Sequence, residues 1–330
     1  MKAICVKPNR ELEVREIPKP NEPAAGHVLI DMDSSAINHG DKTFLARPMT
    51  LSLATSAHEV WGASGAGRVA AIGAGVPEIY AGTSVAVYRS LNRSPDTIGL
   101  WCERAHMPYL SCLILPESVR ARGYSGSLVN VITAYAFLEQ VRADGHKGVV
   151  VTAGHSATGK ALLALALRRG TPALFLVRSA AAQDELRRQG AEHTLVTTED
   201  GFEGRFANLA ERLGATAVFD GVGGDLVTRL APHAATNSTF YFYGFLAGAA
   251  PVSFASTLFM SKNLTMKRFS NFESATVKDR DKLDAALSDL RGVIGDPLFT
   301  TRIGKEFRLD QIDEAMKFES APGAKAVLVP

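Results

Sequence analysis

Gly154-His155-Ser156-Ala157-Thr158-Gly159-Lys160 has the make-up of a phosphate cradle: two glycines, two hydroxyls and the start of a helix. The residues before it, Val149-Val150-Val151-Thr152-Ala153, form a short β-branched run that reads as a strand buried on both faces. After it, the stretch up to Arg169 reads as an Ala/Leu-rich helix. Ala173-Leu174-Phe175-Leu176-Val177 then reads as a second buried strand that ends on Arg178. Strand, glycine-bounded turn, helix and strand make the unit that sets a phosphate against a helix N-terminus. The stretch reads as a dinucleotide site.

Two rivals to that reading come from the same residues. Only Gly154 and Gly159 of a GxGxxG pattern survive, so a plain structural βαβ turn stays open. The run from Gly154 to Lys160 also matches GxxxxGK, the start of a P-loop, and Ala217-Val218-Phe219-Asp220 imitates the strand whose aspartate would hold magnesium. That second rival fails at Ala161, which has no hydroxyl for the metal. Arg178 bears on cofactor choice. The tip of the second strand is where an adenosine ribose lies, and a carboxylate there would accept from the 2′-OH of NAD. Here the tip reads Val177-Arg178-Ser179, with no carboxylate until Asp184. A guanidinium and a hydroxyl suit a 2′-phosphate, so NADPH is the expected cofactor; the alternative is a solvated strand-end arginine.

The rest of the chain has to position this loop. At 330 residues, two domains are expected. The first 120 or so look β-rich, with short apolar runs such as 3–6, 27–30 and 84–88 punctuated by Pro and Gly. From about Leu128 strands and helices alternate. Strands are expected at 149–153, 173–177, 193–197, 216–220, 238–243 and 264–268, and helices at 159–169, 180–189, 203–213 and 224–234. That is the rhythm of a doubly wound parallel sheet. Further helices are expected near 281–291 and 309–319, with a closing strand at 325–329.

A net charge of +2 argues for neither nucleic acid nor an acidic membrane surface. Cys5, Cys102 and Cys112 form no metal-ligand or disulfide spacing, which fits a reducing compartment. With no signal peptide or membrane span readable, the expectation is a cytoplasmic protein without membrane partners.

Several ordered segments carry a family resemblance. They are Ala36-Ile37-Asn38-His39-Gly40-Asp41; Gly62 to Val69 followed by Ile72-Gly73; Thr133-Ala134-Tyr135; the Ala153 to Gly159 loop; Phe219-Asp220-Gly221-Val222-Gly223-Gly224; Tyr241-Phe242-Tyr243-Gly244; and Gly323-Ala324-Lys325-Ala326-Val327-Leu328. Across nearly its whole length the chain resembles the medium-chain dehydrogenase/reductase superfamily, in its zinc-independent quinone oxidoreductase and enoyl reductase branch. The resemblance implies an α/β protein with a GroES-like β-rich catalytic domain (1–122 and 272–330) and a Rossmann NADPH-binding domain (123–271). It also implies a cleft between them where nicotinamide meets a small-molecule substrate.

By that match Gly154, Ser156, Thr158 and Gly159 would sit near the pyrophosphate and Arg178 near the 2′-phosphate. Val222, Tyr243, Gly244, Phe269 and Ser270 would flank the nicotinamide half, approached by Asn38 and Thr133. His155 would give the phosphate either its ring or only its backbone.

Zinc members place a Cys-His pair where this chain has Asn38-His39, and Gly-His-Glu where it has Gly62-Ala63-Ser64. Three protein ligands cannot be found, so no metal is expected. Without a Lewis acid for an alkoxide, reduction of a quinone or activated alkene is the favoured chemistry. Asn38 and a backbone N–H near Gly244 are the candidate donors to the developing oxyanion. Enoyl reductases of the branch add a tyrosine about a dozen residues after the asparagine, yet Phe44-Leu45-Ala46-Arg47-Pro48-Met49-Thr50 holds none. Enoyl thioester reduction therefore ranks below quinone or enone reduction. Tyr88, Tyr135 and Tyr243 are further proton sources to consider, and no catalytic side chain is assigned. A non-catalytic nucleotide-binding protein is the alternative from another class. By analogy with family dimers, 241–243 and 254–260 could extend a sheet across a two-fold axis into a homodimer.

Overall fold

The computed structural model describes residues 1–46, 56–319, 321 and 323–330. The chain divides into two compact units, one of Met1–Asn130 with Asp279–Pro330 and the other of Val131–Lys278. The first part of unit 1 holds β1 (Lys2–Val6), β2 (Leu12–Glu16), β3 (His27–Ala36), α1 (His39–Leu45), β4 (Ser64–Ile72), β5 (Ser84–Tyr88), β6 (Arg104–Pro108) and β7 (Cys112–Ile114). Helix α2 (Leu128–Ala143) carries the chain across the division. Unit 2 alternates β8 (Val149–Val151), α3 (Ala157–Arg169), β9 (Ala173–Val177), α4 (Ala180–Arg188), β10 (His193–Val196), α5 (Phe202–Leu213), β11 (Ala217–Asp220), α6 (Gly224–Leu230), β12 (Thr239–Phe242), α7 (Ser256–Ser261), β13 (Thr265–Arg268) and α8 (Ala275–Lys278). The chain returns to unit 1 with α9 (Arg280–Arg291), β14 (Ile303–Arg308), α10 (Ile312–Lys317) and β15 (Lys325–Val329).

In unit 2 the strands run in the order β10-β9-β8-β11-β12-β13, and every pairing is parallel. Numbered along the chain, that is the 3-2-1-4-5-6 order of a dinucleotide-binding sheet, with its switch point between β8 and β11. Strand alternation explains why the sheet is covered twice. Val218 and Phe240 pack with Phe202, Phe206 and Ala210 of α5 and with Val227 and Leu230 of α6. Their neighbours Phe219 and Tyr241 turn the other way; Phe219 stacks on Phe137 of α2 at 4.0 Å, and Tyr241 stacks on Phe219.

Unit 1 is built on a sheet ordered β14-β15-β3-β4-β5-β7, with β6 also paired to β3 and a separate β1-β2 ribbon. The long strand β3 (10 residues) is therefore bonded to β15 from the far end of the sequence. Small residues in β4 allow this close packing: a Cβ on Gly67 would lie 2.3 Å from the Asp31 carbonyl.

Element boundaries depart from the expected ones for local reasons. Helix α3 starts at Ala157, two residues early, because Ser156 caps it through a bond from the Gly159 N–H at 3.1 Å. Helix α6 ends at Leu230 and tightens to a 3₁₀ turn over Ala231–His233, where Pro232 lacks the N–H to continue. The expected helix at 309–319 is a 3₁₀ turn, Leu309–Gln311, followed by the short α10.

A stacked histidine pair in unit 1 makes one prediction. The rings of His27 and His106 lie 4.7 Å apart. The Ala24 N–H donates to His106 Nε2 at 3.0 Å, so that nitrogen carries no proton and Nδ1 donates to the Asp96 carbonyl at 2.8 Å. Burial lowers the His106 pKa below its ordinary value. A depressed histidine contributes stability that is complete above about pH 6.5, the unfolded value, and lost as pH falls through the folded one. Unit 1 is expected to melt at lower temperature as pH falls from 7 towards 5, and His106→Asn, which keeps an acceptor without the titration, should flatten that slope. Parallel melting curves for the two proteins across this range would refute it.

Candidate nucleotide site and a buried polar cluster

The glycine loop lies at the carboxyl end of β8, beside the switch point, where open parallel sheets bind their ligands. Its glycines are required by close approach. A Cβ on Gly159 would sit 2.1 Å from the Gly154 carbonyl oxygen, and one on Gly154 would sit 2.9 Å from the Phe175 Cβ. Helix α3 spans 13 residues, enough to carry a full dipole, and its first turn contains no carboxylate. Thr158 stands in that first turn and, like Ser156, is part-buried.

The basic side chains of the loop are already engaged. Lys160 Nζ reaches Glu185 of α4 at 2.5 Å. His155 Nε2 lies 2.8 Å from the other Glu185 oxygen but off the line of a hydrogen bond. The bond from Lys160 is the main reason Glu185 is held down to about 2. Glu185 thus draws the Lys160 ammonium onto α4. The P-loop role that a lysine here would play is absent in geometry as well as in sequence.

Arg178 and Ser179 follow β9. Arg178 is exposed, and its guanidinium has no carboxylate partner among the described residues. The Thr198 hydroxyl donates to its carbonyl at 3.3 Å, fixing the backbone. Ser179 caps α4 by accepting from the Ala182 N–H, also at 3.3 Å.

Across the switch point, Asp220 organises the end of β11. Its carboxylate accepts from Thr152 Oγ1 at 2.7 Å, from the Val222 N–H at 3.2 Å and from the Gly223 N–H at 2.8 Å. Burial raises its pKa despite these donors. Its carbonyl accepts from the Tyr243 and Gly244 N–H groups, so the backbone donor expected at Gly244 faces Asp220 at 3.3 Å. The Tyr243 ring covers Gly221, where a Cβ would meet its hydroxyl at 2.7 Å, and its phenol bonds Ser156. Ser156, Val222, Tyr243 and Gly244 are therefore connected around Asp220. Burial raises the Tyr243 phenol far above the usual tyrosine range. Tyr135 lies beneath Arg169 at 4.3 Å, and Tyr88 is buried.

Phe269 packs against Phe137 and Phe219 as part of the aromatic core. Ser270 begins a 3₁₀ turn whose Asn271 donates to Thr133 Oγ1 at 2.8 Å, both residues being buried. Thr133 is thereby tied to the segment that contains Ser270.

Asn38 belongs to unit 1, where it forms a separate cluster. Its Nδ2 donates to Asp41 Oδ2 at 3.0 Å and to Ser64 Oγ at 2.8 Å, while its Oδ1 accepts from Lys325 Nζ at 2.5 Å. Asp41 also accepts from the Asn38 and Ala63 N–H groups at 2.8 and 3.2 Å. Burial lifts the Asp41 carboxyl above the usual carboxylate range and draws Lys325 down to about 8. Of the tyrosine-free stretch after Asn38, residues 47–50 lie outside the described residues. Among the described residues no three His, Cys, Asp or Glu side chains gather to hold a metal ion, and no helix is long and apolar enough to cross a membrane.

Asp220, Glu185, Asn271 and Lys325 were not among the expected site residues. Asp220 and Lys325 had a signal: each is a charged residue bounding an otherwise apolar strand. Glu185 and Asn271 had none.

The geometry defines a class by fold. With 19% identity, the structure of Escherichia coli quinone oxidoreductase complexed with NADPH matches 100% of this chain and 99% of its own at a TM-score of 0.74. A 2-haloacrylate reductase matches the same shares at 19% identity and a TM-score of 0.76. The chain shares the fold of these two reductases: a β-rich unit made from both ends and a six-stranded parallel dinucleotide-type sheet. By sequence it is 27% identical over 207 residues to the human synaptic vesicle membrane protein VAT-1 homolog, covering 62% of this chain and 50% of that protein. The chain spans about half the length of the curated relatives it matches. No protein-family profile matches it.

Proposed function

We propose that this protein is a zinc-independent, NADPH-dependent oxidoreductase of the medium-chain dehydrogenase/reductase superfamily, reducing a quinone or an activated alkene. The observation that carries the reading is the cradle at the switch point. The Gly154–Gly159 loop is closed so tightly that a side chain at Gly159 is excluded, and it opens onto the N-terminus of α3. Arg178, at the end of the neighbouring strand and without a carboxylate partner among the described residues, suits the phosphate that distinguishes NADPH from NADH. The neighbours in fold support it, since one was solved with NADPH and another is a reductase of a halogenated acrylate, an electron-poor alkene.

In this reading Gly154, Ser156, Thr158 and Gly159 hold the pyrophosphate, His155 lends its backbone, and Arg178 holds the 2′-phosphate. Val222, Tyr243, Gly244, Phe269, Ser270 and Thr133 flank the nicotinamide. The catalytic domain is 1–122 with 272–330, and the Rossmann domain is 123–271. When bound, NADPH supplies the hydride. The chain's residues orient it: Asp220 fixes the turn under Tyr243, and Asn271 fixes Thr133.

The test combines NADPH binding, followed by fluorescence, with NADPH oxidation against quinones, enones and enoyl thioesters. Binding with turnover of a quinone or enone, undiminished by a chelator, is the expected result. Tight binding with silence across the panel would favour a non-catalytic nucleotide-binding role, and turnover confined to thioesters would favour an enoyl reductase.

A further inference from the structure

Two buried tryptophans in unit 1 carry N–H groups without partners among the described residues. Trp61 and Trp101 are 3% and 0% exposed, and neither indole nitrogen is hydrogen-bonded. Both pack in an apolar cluster with Ile4, Val6, Ile37 and Phe307. An indole nitrogen can only donate, and a donor taken out of water in apolar surroundings calls for an acceptor.

Arg89, just after β5, brings a charge to the same place. Its guanidinium lies over the Trp61 ring at 5.4 Å. Of its five N–H groups, one reaches the Val60 carbonyl at the long distance of 3.4 Å, and the others have no partner among the described residues. The backbone holds this part-buried side chain in place. The Arg89 N–H donates to the Ala63 carbonyl at 2.9 Å, and the Ala63 N–H donates to Asp41 at 3.2 Å. Asp41 is not a hydrogen-bond partner of Arg89. Its oxygens accept from Asn38 and Ala63, and it acts on the guanidinium only through space. Burial lowers the Arg89 pKa below the ordinary arginine value; Asp41 opposes that shift and the exposed Arg93 adds to it.

We propose that Arg89 and the Trp61 N–H form a binding site for a single carboxylate carried on an apolar body. The guanidinium is a flat fork that meets a carboxylate with two parallel bonds, and stacking on the indole fixes the plane of that fork. The indole N–H and the fork belong to one stacked pair, so one ligand can engage both. The nearby charge of Asp41 offsets part of the cation and favours a monoanion over a phosphate dianion. All of these residues lie in Met1–Asn130, and the site stands whether or not the protein binds NADPH.

The chain has two tryptophans, both in this cluster, so its intrinsic fluorescence reads the site. Cyclohexanecarboxylate is titrated by fluorescence and calorimetry at constant ionic strength, with cyclohexanecarboxamide as the uncharged control and inorganic phosphate as the dianion. The expected result is saturable binding of the carboxylate alone, with a change in Trp61 emission isolated in Trp101→Phe and a downfield shift of the Trp61 indole proton. Arg89→Gln should weaken binding at least about tenfold. Arg89→Lys should not restore it, because a point charge lacks the fork. Trp61→Phe, which keeps a ring and removes the N–H, should weaken calorimetric binding about 3- to 10-fold. The proposal is overturned if wild type shows no saturable binding, which leaves water as the acceptor for the indoles. Equal binding of the carboxamide or of phosphate overturns it too, as does Arg89→Gln with affinity kept within about threefold. If the Arg89 variants fail to fold, the wild-type indole shift decides: its presence with the carboxylate alone supports the site, and its absence removes it.

Discussion

Arg178→Ala should bind NADPH roughly 30- to 150-fold more weakly while leaving NADH affinity within about threefold. The guanidinium is exposed and has no carboxylate partner among the described residues, so it can meet a doubly charged phosphate. Charge-assisted hydrogen bonds contribute about 1.5–3 kcal/mol each, and solvent screening at this exposed position limits the net to about 2–3 kcal/mol. That net corresponds to the stated range of affinity. The neighbouring Lys160 does not substitute, because it is drawn onto Glu185. The measurement is a pair of fluorescence titrations with the two reduced cofactors, repeated at high salt, where the wild-type preference should shrink. An unchanged ratio of affinities in the variant would remove the cofactor assignment and leave Arg178 a solvated strand end.

Gly159→Ala should damage both fold and binding. The added Cβ would meet the Gly154 oxygen at 2.1 Å and its carbonyl carbon at 2.6 Å, backbone atoms that cannot swing away as a side-chain tip could. Forcing a methyl into a closed site costs about 1–3 kcal/mol and more when the obstacle is backbone. At about 2–4 °C per kcal/mol for a domain of this size, unit 2 should melt roughly 2–12 °C lower. NADPH binding should fall further than stability does, because relief of the clash opens the loop that presents the N–H groups of α3. Thermal melts with and without NADPH would show it: the variant should lose most of the ligand-induced rise. A normal melting point with normal binding would mean that the loop is looser than its geometry states.

The sequence made much of unit 2 legible, and the reason is local. Val149–Val151 and Ala173–Val177 are buried on both faces and so are continuously apolar, while Ser156, Gly170 and Gly214 mark helix ends within a residue or two. The closing strand at 325–329 was equally plain. What stayed hidden were pairings between distant residues. Lys325 meets Asn38 across 287 positions, Asn271 meets Thr133 across 138, and Lys160 meets Glu185 across 25. No periodicity encodes such meetings. For that reason Asn38 looked like a donor in the sequence and is a saturated hub in the structure. Helix α6 was misjudged in length for a smaller reason, a single proline at 232.

The sheet order of unit 1 has a consequence for synthesis. Strand β15 is inserted beside β3, so a ribosome that has released the first hundred residues has not yet made the partner of that strand. Unit 2 suffers no such delay, since Val131–Lys278 is continuous in the chain. Unit 2 can therefore complete its sheet before unit 1, whose seam beside β3 stays open until β15 is made.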